Sequence, residues 1–94
     1  MGNGRDRRVR IESALRERLD AVHTEVIDES HLHVGHAGAA SGGGHFRALI
    51  VSDKFAGKSR VECQRLVFAA LAELMEREIH ALSMQTLTPD QWRK

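Results

Sequence analysis

The sequence predicts an α+β sandwich, a small three-stranded mixed sheet with helices packed on one face. Three observations predict it. His45 to Ser52 is an apolar run, β-branched toward its end, as in a covered strand. Val61, Leu66, Val67, Ala70, Leu71, Leu74 and Met75 then recur at helical spacing and build one apolar face of a single long helix. Ile79 to Leu87 alternates with period two, as a half-buried strand does. Two strands joined by one crossover helix are most simply parallel neighbours.

Taken in order, Met1 to Arg7 is polar and reads as a frayed tail. A first helix follows, with Asp6 as its N-cap and Ile11, Ala14, Leu15 and Leu19 on one face. Thr24 to Asp28 forms a short strand. Glu29 to Gly44 is rich in Gly, Ala and Ser, cannot offset the ordering entropy of a packed element, and is expected to be a mobile loop. It is far longer than a hairpin needs, although it joins strands expected to be antiparallel. After the second strand, Asp53 to Lys58 is a turn in which Gly57 is free to take positive φ. Ser59 opens the long helix with a capping box to Glu62. Thr88 caps a last short helix with Pro89 at its first position, and Trp92 is expected to fold back onto the sheet or a helix edge.

The length of 94 residues allows one domain, spanning 1–94. A formal net charge of +1 makes no argument for nucleic acid or an anionic membrane, although Arg5, Arg7, Arg8, Arg10, Arg16 and Arg18 crowd the N-terminal part. No apolar run approaches the ~20 residues that span a bilayer, and no signal-peptide pattern is present. A single cysteine, Cys63, forbids an intrachain disulfide. The expected compartment is therefore the cytoplasm.

Six histidines are the compositional oddity. His31, His33 and His36 lie in the long loop, and His80 opens the last strand. Neutral imidazole is a common metal ligand, but the loop has no cysteine and the chain no Cys-x-x-Cys, so a closed zinc site is weakly supported. A loop histidine reads first as a solvated side chain. His80 reads either as a hydrogen-bonding group at a strand start or as a fixed ligand facing mobile ones. His45 reads as structural, and Cys63 as a small buried hydrophobe. Lys54, Lys58 and Arg60, at a turn entering a helix, form an anion-attracting spot. No nucleophile-base pattern stands out, and the chain is not expected to be an enzyme.

Asp28-Glu29-Ser30 with His33, His45-Phe46, Val51-Ser52, Phe55-x-Gly57-Lys58-Ser59, Arg65-Leu66-Val67, Ile79-His80-Ala81-Leu82 and Thr88-Pro89-x-x-Trp92 together resemble the BolA family in order and spacing, from Ile11 to Trp92. The resemblance implies a class II KH-like fold, α-β-β-α-α-β with the short C-terminal helix added, and an extra helical turn within Asp53 to Lys58. It implies a heterodimer with a monothiol glutaredoxin and a shared [2Fe–2S] cluster, completed by glutaredoxin and glutathione thiolates. In that picture His80 is one ligand and a loop histidine the other: His33 by the Glu-Ser-x-x-His match, with His36 as the rival because the loop is longer here. The isolated chain would be a monomer or weak homodimer. Some family members resemble transcription factors, so DNA binding through Lys54, Lys58, Arg60 and Arg65 is the alternative. Cys63-Gln64 stands where the family commonly has Arg-His, which counts against that surface.

Overall fold

The computed structural model describes residues 4–30 and 44–93. Helix α1 (Gly4–Leu19) leads into β1 (His23–Asp28) and β2 (Gly44–Val51). A 3-10 turn (Asp53–Phe55) precedes α2 (Arg60–Ala70), α3 (Ala72–Arg77), β3 (Ile79–Leu87) and α4 (Pro89–Arg93). The sheet order is β1-β2-β3, with β1 antiparallel and β3 parallel to β2. The α+β class, the mixed sheet and the pairing directions are as the sequence predicts.

Ile11, Leu15 and Leu19 of α1 and Cys63, Val67, Ala70 and Leu71 of the crossover segment close over Phe46, Ala48 and Ile50 of β2. Phe46, Ala48 and Ile50 alternate along the strand, so they share its inner face. Fully burying a Leu, Ile or Phe side chain contributes about 1.5–3 kcal/mol, which is why so short a chain can hold together.

The elements depart from the sequence reading at four points. α1 starts at Gly4, so the expected tail is helical from there, and residues 1–3 lie outside the described residues. Asp6 is therefore in the first turn rather than at the cap, where its charge still suits the helix dipole. α1 ends at Leu19, and the next residue, Asp20, has a positive φ of 51°. The long helix is two helices. At Leu71 (φ −104°, ψ 12°) the ladder breaks, because Arg18 Nη1 donates to the Ala70 carbonyl at 2.7 Å and the Leu74 amide turns to the Leu71 carbonyl at 2.9 Å. Val61, expected on the inner face, is 53% exposed. The inward stripe runs through Cys63, Val67 and Ala70, which places Val61 on the far side.

The local devices follow the sequence. Ser59 and Glu62 form a reciprocal capping box: the Ser59 amide donates to Glu62 Oε1 at 2.8 Å and the Glu62 amide to Ser59 Oγ at 3.1 Å. The bond from the Ser59 backbone, then that from its side chain, hold the Glu62 carboxyl below its ordinary value. Gly57 has φ +73°. Thr88 and Gln91 exchange a similar pair of bonds at the start of α4. Trp92 stacks on His23 of β1 with centroids 4.5 Å apart, which fastens α4 to the sheet.

Candidate metal centre

His80 sits at the N-terminal end of β3, and the register places it there in a particular way. Gly44 is opposite Ile79, but His45 is opposite Ala81, so His80 is the extra residue of a β-bulge. Phe46 and Ala48 of the inner face pair with Leu82 and Met84, and simple alternation would turn His80 inward with them. The bulge resets the phase. Ile79 is 2% exposed in the core, and His80 is exposed to solvent. The strict period-two reading of β3 is therefore corrected at this residue.

The His80 ring lies beside the His45 ring of β2, with centroids 5.2 Å apart and planes tilted by 49°. His45 is half-buried and its backbone is held on both sides: its amide donates to Ser30 Oγ at 3.0 Å and its carbonyl accepts from the Glu29 amide at 2.8 Å. The Ser30 amide in turn donates to Asp28 Oδ1 at 2.8 Å. The Gly44 amide donates to the Glu78 carbonyl at 3.1 Å. Both ends of the connection between β1 and β2, Ser30 and Gly44, are thus bonded to this corner of the sheet. Gly44 has no room for a side chain, since a Cβ there would meet Phe46 Cε2 at 2.5 Å and Ser30 Oγ at 3.1 Å.

His31, His33 and His36, the loop histidines of the sequence reading, lie outside the described residues. No group of three or more His, Cys, Asp or Glu among the described residues is gathered as a metal would need. His23 belongs to the other end of the sheet, opposite Val51, and bonds Glu25 Oε2 at 2.7 Å. Rows at His45 and Val51 are about 20 Å apart at the usual strand rise. Cys63 is also remote from His80: it is buried beside Phe55, and it lines a groove that takes in Thr86 and Leu87 at the far end of β3.

The basic residues divide. Lys58 and Arg60 line that same groove, about 470 Å³, with Gln64, Gln85 and Gln91. Lys54 is turned toward Asp20, 3.5 Å away, and Arg65 is exposed on α2 outside the groove. The 3-10 turn before α2 matches the extra helical turn that the resemblance implies.

Sequence reasoning assigned His45 only a structural part. The signal was available: two strands paired in parallel, each with a histidine at its start, bring those residues side by side.

The sequence family model for BolA-like proteins matches residues 15–91. The chain is 39% identical over 85 residues to the DNA-binding transcriptional regulator BolA of Escherichia coli (strain K12), covering 90% of this chain and 78% of that protein. It is 41% identical to human BolA-like protein 1 over 85 residues, 89% of this chain and 62% of the relative's length. Among solved structures, the BolA domain of SufE1 from Arabidopsis thaliana superposes with a TM-score of 0.78 at 38% identity, covering 96% of this chain and 98% of that one. Identity at this level, sustained over nearly the whole chain together with the fold, makes this protein a member of the BolA-like family.

Proposed function

We propose that this protein is an iron–sulfur adaptor, not an enzyme, that pairs with a monothiol glutaredoxin and shares a [2Fe–2S] cluster as cargo. The observation that carries the reading is His80: an exposed imidazole on a rigid strand end, turned outward by a bulge, at the corner where the β1–β2 connection begins and ends. Imidazole can replace thiolate on one iron of such a cluster, so the donor type fits. The second ligand is His33. It lies three residues beyond Ser30, within about 10 Å of extended chain, whereas His36 lies six residues beyond, with about 20 Å of extended chain and more backbone to order. Glutaredoxin and glutathione thiolates complete the set. The chain's own residues bind and orient; the cluster supplies the redox and transfer chemistry.

The test mixes the pure protein with cluster-loaded monothiol glutaredoxin and records the visible circular dichroism. His80→Ala is expected to abolish the heterodimer spectrum, His33→Ala to weaken it strongly and His36→Ala to weaken it least. A His80→Ala protein that gives the wild-type spectrum would overturn the reading.

A second reading, DNA binding, is favoured by the groove with Lys58 and Arg60 and by the similarity to the E. coli DNA-binding transcriptional regulator. It predicts a duplex affinity that falls steeply with salt and drops when Lys58 and Arg60 are both changed to Ala. With a net charge of +1 the field that would support it is small.

A further inference from the structure

His80 projects from a bulge and is exposed, and its ring packs against that of His45 on the neighbouring strand. A histidine side chain chooses among three χ1 wells and a broad, roughly two-fold χ2. Its immediate neighbour is different in kind. His45 is half-buried, its Nε2 is closed off from solvent, and its amide and carbonyl are both bonded, to Ser30 and Glu29. The two rings are 5.2 Å apart and tilted by 49°, which is side-by-side packing. One ring is a wall and the other leans on it.

We infer that His45 is a positioning residue: its ring, by packing, restricts His80 to the rotamer in which the imidazole is presented at the outer corner of the sheet. The inference rests on the cluster-ligand reading of His80 for its consequence, but not for its geometry. The contact is one of shape. An aromatic ring of similar size keeps that contact with His80, and a methyl group does not. The bulge and the wall are complementary, because the bulge turns His80 out of the core and the wall limits where it can go.

The experiment uses the full chain in wild-type, His45→Ala and His45→Phe forms, with thermal melting to establish that each is folded. The first readout needs no cluster: side-chain three-bond couplings of His80 in the isolated protein. Wild type and His45→Phe are expected to show one dominant χ1 rotamer, and His45→Ala to show averaging. The second readout is the visible circular dichroism and cluster lifetime in the complex with glutaredoxin. His45→Ala is expected to shorten the lifetime about three- to sixfold, the number of rotamer states no longer excluded, and to broaden the spectrum. His45→Phe should stay within about twofold of wild type on the same rotamer argument.

A His80 rotamer that stays single in His45→Ala overturns the inference. So does a His45→Phe protein that fails as badly as His45→Ala, because the ring nitrogens would then be what matters. If His80→Ala leaves the cluster untouched, the cluster reading fails, and the rotamer measurement still decides the role of His45.

Discussion

Cys63 is 5% exposed on the inner face of α2, with Sγ 3.9 Å from the Phe55 carbonyl. Cys63→Ser is expected to leave the heterodimer spectrum intact, since the residue lies at the far end of β3 from His80. The smaller, more polar hydroxyl should cost about 1–3 kcal/mol, seen as a lower denaturation midpoint. Loss of the cluster spectrum in a folded Cys63→Ser protein would make the thiol a ligand after all. At this scale the sequence was informative about Cys63, because a lone free cysteine is most often a small buried hydrophobe. The His45–His80 contact was half legible: a histidine near the start of each of two parallel strands is visible in the sequence, but their meeting depends on how those strands are registered, and a shift of one residue changes every neighbour.

At the scale of elements, the corner that holds His80 depends on Gly44. This residue pairs with Ile79, and the register then slips by one before His45 meets Ala81. Its Cα lies so close to Phe46 and Ser30 that a methyl group has no space. Phe46 is fully packed in the core and Ser30 is held through its own bond to Asp28, so neither can retreat cheaply. Gly44→Ala is expected to destabilise the domain by about 1–3 kcal/mol, the usual range for overpacking, as read from denaturant unfolding. It should also release the Ser30 bond to the His45 amide, visible as faster exchange of that amide. Wild-type exchange and an unchanged midpoint would mean that the strand ends shift freely and that the corner is not rigid. The elements themselves were legible in the sequence: each strand, the Ser59 cap, the Gly57 turn and the Thr88 cap are written in short local patterns. Two of the misread points, the break at Leu71 and the bulge at His80, have tertiary causes. Arg18 of α1 supplies the bond that opens the helix ladder, and the competing demands of Ile79 and Leu82 for the same core set the bulge.

Across the whole molecule, the tie between the first helix and the last strand passes through Glu78. Its Oε2 accepts from Arg7 Nε at 3.0 Å and lies 3.1 Å from Arg10 Nη2, joining segments 71 residues apart for the Arg7 bond. The pair with Arg7 is the better shielded, at 21% and 23% side-chain exposure, against 47% for Arg10. Burial is partial, so the tie is worth more than a surface pair and less than a core one, about 1–2 kcal/mol. Glu78→Gln, which keeps the shape and removes the charge, should lower the melting temperature by roughly 4–8 °C for each kcal/mol lost. Arg7→Ala should cost more than Arg10→Ala. In 1 M salt, where screening acts within about 3 Å, the gap between wild type and Glu78→Gln should narrow. The carbonyl of Glu78 still accepts from the Gly44 amide in this variant, so the strand start beside His80 stays in place. The cluster spectrum with glutaredoxin should therefore be unchanged at temperatures where the variant is folded. A variant that melts like wild type at low salt would mean that the Glu78 pairs add nothing to the apolar face and the Arg18–Ala70 bond that hold α1; a variant that is stable but loses the cluster would mean that the Glu78 carboxylate acts on the His80 corner directly.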